Sequence, residues 1–405
     1  TYRYRADGEL MEATNQSCSV VFERDVLGRV LREAPGGHWV ASKLDPLGNR
    51  ISWSSSLGAS QSIVRNPTGE VLELSLSGQR TQNPLTTSFK RDGLGRELER
   101  NLPGGASARW QRDRLGRPNQ HEIAAGGRIV RARSYHWDQG DRLQKIIDSQ
   151  YGAIEFARDP RGQLAWARYS DGSQELRMPD ALGNLFRTED RSDRRYGPAG
   201  QLLEMTDLQK RVTRYEYDAE GNLVEKVRSD GQRWHYRWNG AGTLREVERP
   251  DGKAVAFAYD AFGRRISKTL DGKVTRWIWD ANVPLHEWVE RAPGIEGEEQ
   301  LAPELEIDSA RKLRDAALSD ISQRGPPLAS GVDSATTWVF EPEGFAPIGK
   351  LVEIRRNGEK YSAEFEGITY TFSRQRDLRR KLRSFGTTNS DDMRGEAALP
   401  NEALN

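Results

Sequence analysis

Tyr215-Glu-Tyr-Asp-Ala-Glu-Gly-Asn-Leu223 returns twice further along the chain, as Tyr236-Arg-Trp-Asn-Gly-Ala-Gly-Thr-Leu244 and as Phe257-Ala-Tyr-Asp-Ala-Phe-Gly-Arg264. The copies are 21 residues apart, measured between their shared glycines. Self-similarity at a short, fixed period is the sequence signature of a repeat architecture. One repeating unit, and not an assembly of unrelated elements, therefore decides this fold.

The repeat extends through most of the chain, because thirteen glycines recur at near-constant spacing from Gly8 to Gly263. Most of them follow an Asp or Asn by three residues. At the start of a turn such a side chain accepts hydrogen bonds from backbone N–H groups, and glycine adopts the positive φ needed at the turn's end. The predicted structural turn pairs are Asp25 and Gly28, Asp45 and Gly48, Asp92 and Gly95, Asp113 and Gly116, Asp159 and Gly162, Asp180 and Gly183, Asp218 and Gly221, and Asp260 and Gly263.

The residues flanking each turn alternate between aromatic and polar, which is the period of a half-buried strand. A second turn falls about midway through many repeats, as at Asp251-Gly252, so that each repeat is predicted to be one β-hairpin. Hairpins in tandem can pair edge to edge into one twisted sheet. The alternation places these aromatic residues on one sheet face: Tyr215, Tyr217, Tyr236, Trp238, Phe257, Tyr259, Trp277 and Trp279. We predict an all-β fold of tandem antiparallel hairpins that form a continuous, spiralling sheet.

These repeats resemble the YD repeats of the Rhs (rearrangement hotspot) and teneurin-type proteins, over roughly residues 1–290. Residues 277–288 resemble the segment that closes the array in bacterial Rhs proteins, and residues 336–347 resemble the segment just beyond it. The resemblance implies a cocoon-like shell of β-sheet that encloses a C-terminal toxin domain. It also implies a bacterial polymorphic toxin that serves interbacterial competition, often through type VI secretion.

The chain departs from the family pattern in one motif. Family shells end in an Asp-Pro-x-Gly-Leu-x-Gly-Gly type of motif, at which the shell cleaves itself from the toxin. Here Asp45-Pro-Leu-Gly-Asn49 and Asp159-Pro-Arg-Gly-Gln163 are ordinary repeat turns, and neither continues as Leu-x-Gly-Gly. We therefore expect a segment of the core that lacks the usual cleavage motif, the toxin and the N-terminal targeting domain.

Composition and spacing divide the chain into four parts. Residues 1–290 are predicted to be the YD-repeat shell, and residues 291–335 a linker or insertion with a short helix between Pro303 and Arg324. Residues 336–372 are predicted to continue the β-strands of the core, with a hairpin turn at Asn357-Gly358. Residues 373–405 are predicted to form a basic helix and a disordered tail, and we interpret the end from about residue 350 as truncated or recombined.

Charge and hydropathy exclude several classes of function. The 61 basic and 60 acidic residues cancel to a net charge of +1 and are interleaved along the strands. That pattern indicates a solvated sheet face and no nucleic-acid partner. The sequence contains neither an apolar run long enough for a membrane span nor a classical signal peptide. Cys18 is the single cysteine, which excludes an internal disulfide and predicts a buried or idle thiol.

No residues in the sequence form a convincing catalytic, cofactor or metal site. Gly344-Phe-Ala-Pro-Ile-Gly-Lys-Leu351 resembles a P-loop, but Leu351 replaces the Ser or Thr that would bind Mg²⁺. His286-Glu287 begins like a zinc-protease helix, but Glu290 stands where the second His belongs. Repeated Asp side chains could bind Ca²⁺, although one per hairpin favours the turn role. The arginines between residues 374 and 383 could contact phosphate, and a solvated helix face is the favoured interpretation.

The favoured function is a structural, non-enzymatic shell segment. Its predicted partners are an enclosed toxin domain, other parts of the Rhs shell and a secretion-spike protein. Its expected location is the bacterial cytoplasm before export and the target cell after delivery. One alternative is an extracellular carbohydrate-binding or adhesion repeat, in which exposed Tyr and Trp rows stack on sugars. A remote alternative is a small toxin activity within residues 350–405.

Overall fold

The computed structural model describes residues 1–79, 81, 83–291, 332, 334–341, 344–354 and 360–373. They form two long antiparallel sheets, of 17 and 14 strands, and a separate two-stranded ribbon. The helical content of these residues is one 3₁₀ turn at Pro103–Gly105. The predicted all-β class is confirmed, and neither sheet closes into a barrel.

Sheet 1 is a meander in which every strand pairs with its neighbours in sequence. Its strands are β1 (Tyr2–Tyr4), β2 (Leu10–Thr14), β3 (Ser19–Arg24), β4 (Val30–Pro35), β5 (Val40–Leu44), β6 (Arg50–Ser55), β7 (Ser60–Arg65), β8 (Val71–Ser77), β9 (Leu85–Arg91), β10 (Glu97–Asn101), β11 (Ser107–Arg112), β12 (Pro118–Ala125), β13 (Arg128–Trp137), β14 (Leu143–Asp148), β15 (Gly152–Arg158), β16 (Leu164–Tyr169) and β17 (Gln174–Leu176).

The ribbon consists of β18 (Met178–Pro179) and β19 (Leu185–Phe186), which pair only with each other in the described part of the chain. Sheet 2 is a second sequential meander. Its strands are β20 (Arg194–Tyr196), β21 (Leu202–Thr206), β22 (Val212–Tyr217), β23 (Leu223–Val227), β24 (Arg233–Trp238), β25 (Leu244–Glu248), β26 (Ala254–Tyr259), β27 (Arg265–Leu270), β28 (Lys273–Asp280), β29 (Val283–Arg291), β30 (Ser334–Phe340), β31 (Pro347–Ile354), β32 (Lys360–Phe365) and β33 (Ile368–Ser373).

A break between the sheets is the feature of the fold that the repeat pattern did not anticipate. The ribbon is held by the buried carboxylate of Asp193, which accepts hydrogen bonds from the backbone N–H of Arg187 at 3.1 Å and the hydroxyl of Thr188 at 3.1 Å. The spacing of 17 residues between Gly183 and Gly200 is the shortest in the array. Sheet 1 ends at β17, just before this shortened repeat, which leaves too little chain for two full strands, and regular strand pairing resumes at β20.

The hydrophobic core lies where the two sheets pack against each other. Strands β5 to β9 supply one wall and strands β28 to β32 the other. The largest fully buried apolar side chains are Leu74 and Leu76 from sheet 1 and Ile278, Leu351 and Phe365 from sheet 2. Burial of each such side chain contributes about 1.5–3 kcal/mol relative to exposure. The first and last repeats are therefore joined by a conventional apolar interface.

The predictions for the helix between Pro303 and Arg324, the turn at Asn357-Gly358 and the basic segment from 374 onwards lie outside the described residues. Strands β30 to β33 occupy the described portions of residues 334–373. They continue the antiparallel register of sheet 2, for example with Trp338 opposite Lys350 and Lys350 opposite Glu364.

Candidate functional site

The repeated turns share one hydrogen-bond pattern. Most of them lie along the edges of sheets 1 and 2, which we together call the wall. In all eight predicted pairs the glycine N–H donates to the carbonyl oxygen of the acid three residues earlier, at 2.9–3.2 Å. In all eight, the acid's carboxylate also accepts the N–H of the residue after the glycine. At Asp218, hydrogen bonds from the side chain and the backbone of Asn222 hold the carboxyl pKa below its ordinary value. The carboxylates are thus engaged within their own turns.

The backbone conformation of the last turn position can be tested within a single turn. Gly242 has φ of +72°, whereas Gly240 in the same turn lies outside the left-handed region, and a Cβ at either position would meet no atom within 4 Å. Gly242→Ala is therefore expected to lower the free energy of unfolding by about 1–2 kcal/mol through backbone strain alone. Gly240→Ala is the matched control and should be neutral or stabilising. Equal effects of the two changes in chemical denaturation would contradict the turn assignment.

In eight of the described repeats, the residue immediately before the turn Asp or Asn ties its hairpin to the preceding one. The Tyr217 hydroxyl donates to the carbonyl of Leu202 at 2.9 Å, and the Trp238 indole N–H donates to the carbonyl of Leu223 at 2.8 Å. Trp279 and Trp137 make the same bond to the carbonyls of Arg265 and Pro118. Each acceptor lies two residues after a turn glycine, at the end of the hairpin where the ladder to the next strand has stopped. A side-chain donor therefore satisfies a carbonyl that the sheet leaves unpaired.

In the first repeats arginine occupies this position and performs the same task. Arg24 donates to the carbonyl of Leu10 at 2.9 Å, and Arg91 donates to that of Val71 at 3.3 Å. Arg65 and Arg112 make the equivalent bonds to Arg50 and Glu97. Our sequence analysis selected only the aromatic residues and missed these arginines. The signal was present, because Arg precedes Asp or Asn at the same position in the repeat.

Removal of one such bond has a predicted cost. Tyr217→Phe deletes the hydroxyl that reaches the Leu202 carbonyl while the ring is retained. The loss of one net hydrogen bond is expected to lower the free energy of unfolding by about 1 kcal/mol. Tyr4→Phe, at an exposed ring, is the control and should change stability little. If urea denaturation shows the same small change for both variants, the inter-hairpin bond does not contribute.

The other predicted aromatic residues lie on a face of sheet 2 that long polar side chains cover. Register places Tyr215 opposite Lys226 and Lys226 opposite Trp234, and the next pairs join Tyr236 to Val247 and Phe257 to Lys268. Arg228 lies over the Trp234 ring at 4.7 Å, and Arg265 lies over the Phe257 ring at 4.5 Å. Tyr215 is buried in this arrangement, and Trp277 donates to Glu287 at 3.2 Å. The rings therefore pack against neighbouring strands.

The opposite face of β20 to β25 is a ladder of charges. Arg195 pairs with Glu204 at 3.0 Å, Arg233 pairs with Glu225 at 3.0 Å, and Arg237 contacts both Glu246 and Glu248. The arginines of these pairs are largely exposed, so each pair contributes only about 0–1 kcal/mol. Because both signs alternate across the strands, this face attracts no single class of charged ligand. It is a hydrated wall surface.

Where the two sheets meet, a buried ion-pair cluster connects them. We call this contact the seam and define it by Glu33, Arg50, Arg264, Asp260 and Asp280. Arg264 lies 2.6 Å from both Glu33 and Asp260, and Arg50 holds Asp280 through both terminal nitrogens. Burial raises the pKa of Glu33, and Arg264 opposes that rise without cancelling it.

A second buried polar group reinforces the seam. His286 is fully buried, with its Nε2 atom 2.8 Å from the Ser55 hydroxyl and its Nδ1 atom 3.0 Å from the Thr337 hydroxyl. Burial lowers the pKa of His286 to about 3 and that of His38 to about 4. Ser55 and His286 have the spacing of a catalytic pair, but both are enclosed in the packed core. They serve here as a hydrogen-bonded link between β6, β29 and β30.

The remaining candidate residues occupy ordinary structural positions. Strand β31 contains the last residues of the P-loop-like segment, with Gly349 opposite Phe365, so their N–H groups face neighbouring strands and form no cradle. Burial raises the pKa of Cys18 to about 12, which keeps the thiol protonated and unreactive. The described residues contain no group of three or more His, Cys, Asp or Glu side chains that could hold a metal ion. Within the same residues, no helix has the length and apolar character to cross a membrane.

Comparison with known proteins shows which family these repeats match. Residues 107–284 match the family model described as the teneurin YD-shell. The chain is also 31% identical, over 282 residues, to the double-stranded DNA deaminase toxin A of Burkholderia cenocepacia, covering 65% of this chain and 19% of that protein. The chain belongs to the YD-repeat, or Rhs, family. Where the anchoring bond is present, the residue before the turn Asp or Asn is thus the Tyr of the YD repeat or its Trp or Arg replacement.

Other relatives of this YD-repeat chain are also named as toxins. Toxin protein Tse5 of Pseudomonas aeruginosa is 28% identical over 327 residues, covering 69% of this chain and 24% of that protein. The chain spans about a fifth to a quarter of the length of the curated relatives that it matches. The crystal structure of TcdB2-TccC3-Cdc42 aligns with 91% of this chain, at 12% identity and a TM-score of 0.43. The aligned part makes up 23% of the chain in that structure.

Proposed function

We propose that this chain is a wall segment of an Rhs toxin shell that encloses a C-terminal effector domain until delivery. The observation that carries the proposal is the sequential ladder, in which each described strand of sheets 1 and 2 pairs with the next one in the chain. Such a ladder leaves few open edges, and a hydrogen-bonded sheet separates what lies on its two sides. The wall acts sterically and has no catalytic role of its own.

The relatives support this role, since both of the curated proteins compared above are named as toxins. We propose a similar arrangement here, with production in the bacterial cytoplasm and delivery into a competing cell by type VI secretion. The partners are then the enclosed toxin domain, a secretion-spike protein and further parts of the shell. The four-part division at residues 290, 335 and 372 is part of the same proposal.

Protease protection tests enclosure directly. The complete natural polypeptide that contains this chain would be treated with a nonspecific protease, and survival of its C-terminal domain followed by mass spectrometry. We expect that domain to be cleaved far more slowly than the same domain produced alone. Equal cleavage rates would overturn the container function. The carbohydrate-binding alternative receives no support from the rings, because the polar atoms of Tyr217, Trp238 and Trp279 are bonded within the sheet.

A further inference from the structure

One of the repeated turns shows how a turn can dock onto another stretch of sheet. Phe262, in the turn at residues 259–264 of sheet 2, packs edge-on against Phe22 of β3 with ring centroids 5.8 Å apart. Arg264 of the same turn reaches Glu33 of β4 at 2.6 Å. We call this turn the plug, and Phe22 and Glu33 the socket. The Tyr2 hydroxyl and the Asn15 amide also donate to the plug's backbone, at the carbonyls of Ala261 and Tyr259.

Three turns of sheet 1 carry, as the plug does, a large apolar side chain followed two residues later by an arginine. Residues 24–29, 91–96 and 112–117 each have Arg-Asp-x-Leu-Gly-Arg, and residues 44–49 have the leucine without the final arginine. The apolar residue at the fourth position and the arginine at the sixth correspond to Phe262 and Arg264. We name the four leucines the leucine rim: Leu27, Leu47, Leu94 and Leu115.

The leucine rim has no covering partner among the described residues. The rim side chains are 72%, 85%, 78% and 69% exposed in chain order, whereas Phe262 in its socket is 41% exposed. Every second connection of sheet 1 is a turn that ends in glycine, so all four leucines lie along one edge, where the turn with Thr68 separates Leu47 from Leu94. Neighbouring turns are two strands apart, which is roughly 9–10 Å. The rim is therefore a row of separate apolar projections and not a contiguous patch.

The rim is also held rigid before any partner arrives. Arg29 donates to the carbonyl of Asp45 in the next turn at 3.4 Å, and Arg117 donates to the carbonyl of Asp138 at 3.2 Å. Within their own turns Arg29, Arg96 and Arg117 pair with the turn acids at 2.6–2.7 Å. A preorganised edge loses little conformational entropy on binding. Projections spaced by two or four strands fit a surface with a two-strand period, which another antiparallel sheet of hairpins provides.

We propose that the leucine rim docks onto a further stretch of YD-type sheet, outside these 405 residues, whose strands present an aromatic ring and a carboxylate as the socket does. This inference rests on the proposed function, because it places the chain within a larger shell. A second copy of the chain is a poor occupant, since its own plug fills the socket of every copy. The arginines at the sixth turn position supply the charge that selects an acidic receiving strand.

Site-specific photocrosslinking tests the docking. The photoreactive residue p-benzoylphenylalanine would replace Leu94 in the complete polypeptide, in the cells that produce it, and crosslinked peptides would be identified by mass spectrometry. The control places it at Leu208, which is 91% exposed in the turn between β21 and β22, at the edge of sheet 2 opposite to the plug. We expect crosslinks from position 94, to a hairpin strand with neighbouring aromatic and acidic residues outside this chain, and none from position 208. Arg96→Glu should abolish the crosslink while the fold, followed by circular dichroism, is retained.

Several outcomes would overturn the inference. They are crosslinks to the same 405 residues of a second copy, crosslinks to lipid or to an unrelated protein, and the absence of any crosslink in a preparation whose toxin domain is protease-resistant. That last result would leave the container function intact and remove only the docking edge. A specific crosslink in a preparation whose toxin domain is cleaved as fast as the free domain would instead remove the container function.

Discussion

Arg264→Met is expected to lower the free energy of unfolding by about 3–5 kcal/mol, because it leaves two buried carboxylates without their shared counter-charge. Arg264 is the residue that Glu33 of sheet 1 and Asp260 of sheet 2 have in common. Methionine preserves most of the side-chain volume, so the loss reports the charge and not a cavity. The measurement is chemical denaturation at pH 7, followed by tryptophan fluorescence.

Two comparisons make the Arg264 result specific. Arg214→Met removes an exposed arginine that lies 3.9 Å from Glu204, and it should change stability by less than about 0.5 kcal/mol. Adding Glu33→Gln to Arg264→Met should recover part of the loss, because one uncompensated buried charge is removed. In the Arg264→Met single variant, the already raised pKa of Glu33 should rise further. The loss of unfolding free energy relative to the unsubstituted chain should therefore be larger at pH 8 than at pH 5. A deficit that is small and independent of pH would show that the seam does not depend on this cluster.

Lowering the pH from 7 to 5 is expected to reduce the free energy of unfolding by about 4 kcal/mol through His38 and His286 together. Their folded-state pKa values, about 4 and about 3, lie below the ordinary value of 6.5. Below pH 6.5 the unfolded chain therefore binds protons that the folded chain does not. Stability is complete above that pH and falls continuously as the pH drops toward the folded values.

Burial sets the direction of both pKa shifts, and charged or titratable neighbours change their size. Burial is the main cause for both, Arg276 lowers the pKa of His38 further, and Glu290 opposes it. The pKa of His286 is lowered by burial and then by His38. His121 lies in sheet 1, and burial lowers its pKa to about 4 as well. It therefore adds a similar loss of stability as the pH falls, outside the seam.

Substitution of His38 and His286 separates their contribution to the pH dependence of stability from that of other titrating groups. The variant with both His38→Gln and His286→Gln should lose about 4 kcal/mol of the difference in stability between pH 7 and pH 5. His136→Gln, at an exposed position, is the control and should leave that difference unchanged. Denaturation curves at both pH values provide the measurement. An unaltered pH dependence in the double variant would exclude His38 and His286 as its source.

Much of the wall could be predicted from local sequence. The acid and the glycine of each turn interact within five residues, and two-residue alternation indicates strands without reference to the rest of the chain. The anchoring bond was harder to find because its acceptor is a backbone carbonyl about 15 to 20 residues away. A carbonyl has no side-chain signature, and Tyr, Trp and Arg all serve as donors to it. Only the shared position before the turn acid of Tyr217, Trp238 and Arg91 connects them.

The sequence by itself determined the all-β class, the hairpin period, the turn geometry and membership of the YD-repeat family, because each of these follows from contacts between near neighbours in the chain. The tertiary structure alone decided where the array divides, at the ribbon after β17, and which repeats meet across the seam. Glu33 and Arg264 are 231 residues apart, as are Ser55 and His286. Their pairing depends on the summed twist of every intervening strand, and no local pattern encodes that sum. For the same reason the leucines of the first repeats looked like ordinary turn residues until the fold placed them along one exposed edge.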